Sequence, residues 1–396
     1  MKFVNVLFVV LLYCTHLSAQ VTLPNNLYFT HIGVEDGLCQ NTVCCILQDH
    51  LGFIWLGTKD GLTRYDGYRF RVFKHDAADP MSIGNNFIRV LYEDADGLIW
   101  IGTNVGVYIY NPETENFRKF DVATERGDVI SREVSSIKCD SSGDLWIGVN
   151  WQGVFRYDRR DESLELYEPV PGDTTSLSSV HVWDLCFDGD GNLWVGSQNG
   201  GLDRYDRETD RFVRHRLKGL SDVSRIVLDK QNQLLLGTMK DGLFSFNPYM
   251  GTCQPLLLDS GHKDLFVRAI FVRNSREVVV GTENGIYIYD CVTRKTRHVN
   301  QELGNPYSLS CKAVYSIYCD KEGALWIGTY FGGVNYLPPS SSLIFDKFYP
   351  IGHSDRLSGK AVREFVRDEN GIIWIGTEDQ GLNRFDPVSG KFTHYN

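Results

Sequence analysis

Gly52-Phe53-Ile54-Trp55-Leu56-Gly57-Thr58-Lys59-Asp60-Gly61-Leu62-Thr63-Arg64-Tyr65-Asp66-Gly67 decides the fold, because the chain repeats this pattern eight times. Clear copies of the Trp-Leu-Gly-Thr core begin at Trp55, Trp100, Trp146, Trp194, Trp326 and Trp374, and worn copies begin at Leu235 and Val279. Successive spacings are 45, 46, 48, 41, 44, 47 and 48 residues, close to the window of propeller blades. A helical repeat of that length would place apolar residues three and four apart, and none of these units does. Each unit instead holds four short runs rich in Val, Ile, Tyr, Phe and Trp, separated by Gly, Asp and Asn turns, which predicts one four-stranded antiparallel blade per repeat.

The fourth unit serves as the type. The pattern predicts an innermost strand A over His181 to Phe187, strand B over Leu193 to Ser197, strand C over Leu202 to Asp206 and an outer strand D over Phe212 to His215. The A-to-B turn is Asp188-Gly189-Asp190-Gly191-Asn192, and its Asp-x-x-Gly form recurs at Asp49, Asp94, Asp140, Asp320 and Asp368. Asp caps such a turn through its side chain, and Gly supplies the positive φ. Asp188, Asp190 and Asn192 alternate like the start of a calcium loop, but no Glu closes it, and no metal or cofactor is expected. Sialidase propellers carry the turn Ser-x-Asp-x-Gly-x-x-Trp, whereas most copies here have one more residue between Asp and Gly. The recurring Trp is expected to pack between blades, since six exposed copies would be poorly soluble. Arg64-Tyr65-Asp66, Arg156-Tyr157-Asp158, Arg204-Tyr205-Asp206 and Arg384-Phe385-Asp386 read as strand-C packing with a capped end.

Ring closure follows from strands that lack a unit of their own. Tyr28-Phe29-Thr30-His31-Ile32 resembles a D strand without its own A, B and C, and an unpaired edge is a liability. The seventh unit runs through Val334-Asn335-Tyr336-Leu337 and then breaks into Pro338-Pro339-Ser340-Ser341-Ser342, a linker sequence. Ile344-Phe345-Asp346-Lys347-Phe348 restarts with another D-like strand, and an eighth unit follows. The expected architecture is all-β: a seven-bladed β-propeller over 20–337 sealed by the N-terminal strand, a linker over 338–343, and the first blade of a second, incomplete propeller over 344–396. A single eight-bladed ring is the alternative. The stop at Tyr395-Asn396, directly after a D strand, suggests a truncated chain.

Lys2, the apolar run from Phe3 to Tyr13, and Leu17-Ser18-Ala19 before Gln20 read as a cleaved signal peptide over 1–19, too short to span a bilayer. Lipidation at Cys14 is the other reading, and bulky Tyr13 argues against it. The 396 residues are 42% hydrophobic and 13% aromatic with 38 glycines, which fits a turn-rich β protein. A net charge of −10 without a basic block disfavours nucleic acid. Nine cysteines follow the signal, an odd number without CxxC spacing. Cys44, Cys45, Cys139, Cys186 and Cys319 fall in predicted strands and read as small buried hydrophobes.

The stretches at 52–67 and at 371–386, Gly-Ile-Ile-Trp-Ile-Gly-Thr-Glu-Asp-Gln-Gly-Leu-Asn-Arg-Phe-Asp, closely resemble the regulator-propeller repeat. Val34-Glu35-Asp36-Gly37-Leu38 resembles the family's opening. The resemblance covers nearly all of the mature chain. It implies the periplasmic sensor region of a hybrid two-component system of the kind found in gut Bacteroides that live on complex glycans. In that family two seven-bladed propellers precede a β-sandwich, an inner-membrane helix, a histidine kinase, a receiver and often a DNA-binding domain. The kinase phosphoacceptor segment and ATP-binding glycine box are not visible in this sequence, so the expectation for this chain is periplasmic sensing without enzymatic activity.

Strands alternate direction, so the D-to-A and B-to-C connections emerge on one face. The D-to-A loops His75 to Asn86, Asp121 to Glu133 and Glu168 to Val180 are long, and long loops on a rigid scaffold carry binding residues. B-to-C loops on that face present Asn150-Trp151-Gln152 and Tyr330-Phe331. Five residues before the turn Asp stand Arg89, Trp183, Tyr315 and Arg363, and the first three are expected at the channel mouth. The candidate ligand residues are therefore Arg89, Trp151, Gln152, Trp183, Tyr315, Tyr330 and Phe331. Aromatic faces beside amide and guanidinium donors suit an oligosaccharide. The competing reading makes Trp151, Tyr330 and Phe331 loop anchors or contacts to a second propeller or a dimer partner. A glycosidase would need paired inward carboxylates, and Asp184 and Glu364 on strand A form no such pair.

Overall fold

Each residue type in the repeat has an assigned task in the computed structural model, which describes residues 22–395 apart from 216, 218–219, 221, 257–264, 340–346 and 351–355. The proposed signal segment, and the linker beyond Pro339, lie outside the described residues. Around the A-to-B turn, Asp49 Oδ1 accepts the Phe53 N–H at 2.9 Å, while Oδ2 accepts the Trp55 indole N–H at 2.7 Å. The same indole-to-carboxylate bond recurs at Trp100–Asp94 (2.8 Å), Trp146–Asp140 (3.1 Å), Trp194–Asp188 (2.8 Å), Trp326–Asp320 (2.8 Å) and Trp374–Asp368 (2.9 Å). One carboxylate thus closes the turn and satisfies the only polar atom of the buried Trp. Asp188 also accepts the side-chain amide of Asn192, so its oxygens are occupied by protein donors rather than poised as calcium ligands.

At the far end of strand B, the Thr58 hydroxyl donates to the Gly61 carbonyl at 2.8 Å and accepts the Asp60 N–H. Gly61 sits at φ +123°, which a side chain would strain. The Arg-Tyr-Asp ending caps the next turn, with Asp66 Oδ1 accepting the N–H groups of Tyr68 and Arg69.

These local rules yield eight four-stranded antiparallel sheets. In the type unit the strands are Val182–Phe187, Leu193–Ser197, Gly201–Asp206 and Arg211–His215, within one residue of the sequence reading at each end. The inner strands Val43–Gln48, Ile88–Glu93, Val134–Cys139, Val182–Phe187, Arg225–Leu228, Val267–Val272 and Val314–Cys319 each pack against the next, and the last returns to the first. Thr30–Ile32 joins the outer edge of the sheet containing Val334–Leu337, pairing Thr30 with Tyr336 and Ile32 with Val334. The N-terminal strand therefore completes the sheet that the sequence left one strand short. Ahead of it, Leu23 donates its N–H to the buried Glu277 carboxylate at 2.9 Å, and Arg297 holds the Pro24 carbonyl at 2.6 Å. This strap covers the sixth sheet, where Val279 stands in place of Trp.

Val362–Arg367, Ile373–Thr377, Gly381–Asp386 and Lys391–Tyr395 form an eighth sheet that already has its own outer strand. The D-like strand expected at 344–348 falls mostly on residues that are not described. Lys347 and Phe348 belong to no strand, 344–346 lie outside the described residues, and Phe348 packs its ring on Phe385 and Phe392.

The glycine after each Trp-Ile pair reports the distance between sheets. A Cβ on Gly102 would meet Val134 Cγ1 at 2.6 Å, one on Gly57 would meet Ile88 Cγ2 at 2.7 Å, and one on Gly328 would meet the Val43 carbonyl at 2.8 Å. On Gly376, in the eighth sheet, the nearest atom would be the Glu364 carbonyl at 3.8 Å. Gly102→Ala is therefore expected to cost about 2 kcal/mol through overpacking. Gly376→Ala should change stability by less than about 0.5 kcal/mol, as read from urea midpoints.

Of the five strand cysteines, Cys186 is buried and the other four are half-buried. Among the described residues the nine cysteines from Cys39 onward form no disulfide, and no helix is long and apolar enough to cross a membrane.

Candidate functional site

A defect repeated in the inner strands builds the site. In six of the sheets that close on one another, and again in the eighth, the register between strands A and B slips by one residue near the start of strand A. The slips fall between Val43 and Cys45, Ile88 and Val90, Val134 and Ser136, Val182 and Asp184, Val267 and Ala269, and Val314 and Ser316. A bulge leaves one residue unpaired and re-aims its side chain. The residues released are Cys44, Arg89, Ser135, Trp183, Arg268 and Tyr315. All six line one cavity of about 200 Å³, joined by Arg225 from the remaining inner strand. Lys59, Phe87 and Glu133 from the loops complete much of its rim.

Arg89, Trp183 and Tyr315 thus converge, as their shared position before the turn Asp predicts. Tyr330 stands behind them: its ring lies 5.2 Å from that of Tyr315, and Lys59 Nζ sits 4.2 Å above its centre. Phe331 packs edge-on against Tyr330 at 4.1 Å but remains 68% exposed. Trp151 and Gln152 lie outside the cavity lining. Gln152 clamps its neighbouring loop, accepting the Ser131 N–H and donating to the Val129 carbonyl, each at 3.0 Å. Trp151 takes φ +71°, meets His181 edge-on at 4.1 Å and is 66% exposed. Arg363 occupies the bulge of the eighth sheet, away from this cavity, and pairs with Glu378.

Cys44, Ser135, Arg225 and Arg268 were missed by the sequence reading, although a signal existed. Cys44 and Ser135 also stand five residues before their turn Asp. Arg268 stands five before Arg273, whose N–H takes the turn bond to Glu277 that Asp makes elsewhere. The worn units hid the register because they lack the marker residues.

The lining is held by protein contacts. Arg89 donates to Asn104 Oδ1 at 2.7 Å, pairs with Glu133 at 3.2 Å and stacks 4.1 Å from the Phe87 ring. Arg268 pairs with Glu283 and lies between Phe266 and Tyr315, 4.1 and 4.3 Å from their centres. Burial pushes the Cys44 thiol up to about 11, against the pull of Arg89, Lys59 and Arg268, so it is neutral near pH 7. Burial likewise raises the Tyr315 hydroxyl. Asp184 bridges sheets: it accepts the Ser136 hydroxyl at 2.9 Å and the Ile226 N–H at 3.0 Å. Among the described residues no cluster of His, Cys, Asp and Glu could hold a metal ion.

This geometry agrees with what the chain resembles. The two-component regulator propeller family matches the chain at residues 37–60, 82–105, 176–199, 308–331 and 356–379. Its structure is similar to the extracellular domain of the hybrid two-component system BT3049 from B. thetaiotaomicron, at 28% identity and a TM-score of 0.78, covering 94% of this chain and 49% of that one. The extracellular domain of the BT4673 system from the same organism shares the fold at 20% identity and a TM-score of 0.68, over 94% of this chain and 53% of that one. Histidine kinase P4 of Formosa agariphila is 39% identical over 59 residues, 15% of this chain and 4% of that protein. The chain spans about half the length of these solved relatives.

Proposed function

We propose that this chain is the periplasmic sensing region of a hybrid two-component signalling protein, that its ring mouth takes a glycan-derived oligosaccharide, and that occupancy controls a kinase across the membrane. In this reading residues 20–337 form a seven-bladed propeller, 338–343 are a linker, and 344–396 are the first blade of a second propeller. The cyclic packing of seven inner strands supports the blade count. The Gly376 position, with no neighbouring sheet against it among the described residues, supports the assignment of the eighth unit to another ring.

The observation that carries the sensing role is the convergence of Trp183, Tyr315 and Arg89 on one cavity through a repeated bulge. An aromatic face stacks on a sugar ring, and fixed side-chain donors bind its hydroxyls. Calorimetry against a panel of polysaccharide-derived oligosaccharides tests it. One member is expected to bind, with Trp183→Ala and Tyr315→Ala each weakening it at least about tenfold. Silence across the panel from folded protein would remove the reading.

A second reading, an interaction scaffold that dimerises without sugar, is favoured by the exposed Trp151 and Phe331 outside the cavity. Light scattering decides this. A dimer that Trp151→Ala dissociates, without any sugar response, would support the scaffold.

A further inference from the structure

We infer that the ring mouth reads negative charge, so that its ligand class is an oligosaccharide bearing an oxyanion, either a uronate carboxylate or a sulfate ester. The inference rests on the sensing role proposed above and narrows its ligand.

Lys59, Arg89, Arg225 and Arg268 converge on one cavity in a chain whose net charge is −10. Glu133 and Glu283 are paired with Arg89 and Arg268. Among the described residues, Lys59 and Arg225 have no carboxylate within ion-pair distance, so the mouth holds two positive charges in excess. Arg225 donates from Nε to the Arg268 carbonyl at 2.7 Å and from one terminal nitrogen to the Ser224 carbonyl at 3.0 Å. Those carbonyls fix the guanidinium plane without neutralising it. Its remaining terminal nitrogen, with Lys59, is available to an oxyanion, for which a preorganised guanidinium is well matched.

Two further features fit. The Trp183 indole N–H is buried in the wall with no hydrogen-bond partner among the described residues, which leaves a donor unspent where one is costly to waste. Lys59, Arg89 and Arg268 each lie over an aromatic ring, which offsets their mutual repulsion. The Cys44 thiol, neutral near pH 7, supplies no counter-charge.

Calorimetry on the full chain would compare an oligogalacturonide, the same oligosaccharide with its carboxyls reduced, a sulfated oligosaccharide of similar length, and inorganic sulfate. The expected result is binding of at least one acidic oligosaccharide, the better of the two identifying carboxylate or sulfate as the source. The reduced compound should bind at least about tenfold more weakly, and the acidic affinity should fall as salt rises. Arg225→Gln and Lys59→Gln should each weaken the acidic ligand about tenfold. Among the described residues the Lys59 ammonium makes only ring contacts, so its substitution should leave the urea midpoint unchanged. Equal binding of the acidic and reduced compounds would overturn the charge inference and leave sugar sensing standing. Binding of inorganic sulfate alone would overturn the oligosaccharide class, and silence of all four would overturn both.

Discussion

Trp146→Ala is expected to cost about 4 kcal/mol of stability, with the urea midpoint as the measurement. The indole is 1% exposed and fills the space between the third and fourth sheets. Its ring centre lies 5.8 Å from that of Tyr167 and 4.7 Å from that of Tyr205, and its apolar neighbours include Val182, Leu185 and Val195 from the next sheet. Truncation would open a cavity between elements that the rest of the ring holds apart, so collapse is limited. Burial alone would raise the Asp140 carboxyl, but hydrogen bonds from the Trp146 indole, the Ser142 N–H and Arg207 hold it below the usual carboxylate range. Losing the indole removes one of these and leaves Arg207, 2.6 Å from Oδ2, as the remaining partner of that oxygen. Trp374 is the internal control. It makes the same bond to Asp368 but is only half-buried, and Trp374→Ala should cost about half as much or less. Equal losses at the two positions would show that the indole acts within its own sheet rather than between sheets.

Asp203→Asn is expected to stabilise the protein by about 3 kcal/mol at pH 7 and to flatten its pH dependence. Asp203 is fully buried in strand C of the fourth sheet. Its Oδ2 accepts the Ser178 N–H at 2.9 Å and hydroxyl at 2.5 Å, while Oδ1 is buried without a partner among the described residues. Burial pushes the carboxyl from 3.8 up to about 6, with the bonds from Ser178 opposing. The folded state therefore keeps a proton that the unfolded chain has released, and stability falls as pH rises from about 4 through 6, with the full cost present above that window. The seventh and eighth sheets show the alternative. Asn335 accepts the Ser310 N–H at 2.8 Å and sends its amide toward the Ile327 carbonyl, and Asn383 treats Ser358 and Ile375 in the same way. Val195 is the equivalent strand-B partner of Asp203, so Asn would give the unpartnered side a donor facing that carbonyl. Urea midpoints from pH 4 to 8 should diverge between wild type and variant as pH rises. Parallel curves would show that Asp203 does not carry the linkage.

The sequence made strand B, the turn Asp and the N-terminal sealing strand legible because each depends on neighbours a few residues away or on a recurring count. The Trp–Asp bond spans six residues in each clear copy, and the Thr-to-Gly bond spans three or four. The candidate site was legible only where an unusual residue marked the register. Arg89, Trp183 and Tyr315 stood out from the pattern, whereas Cys44 and Ser135 at the same register did not. Arg225 and Arg268 sit in units whose Trp is gone. Trp151 and Gln152 were conspicuous by residue type, but their side chains serve a loop contact and an exposed edge.

By itself the sequence determined the blade, since hydrogen-bond caps, alternation and turn glycines act over short spans of chain. Tertiary structure decided which residues meet. A bulge in each of six inner strands, and Arg225 in the remaining one, aim single side chains at one axis from positions some 45 residues apart in sequence. The convergence of four cations on a shared cavity is a property of ring closure, and no local stretch of the chain encodes it.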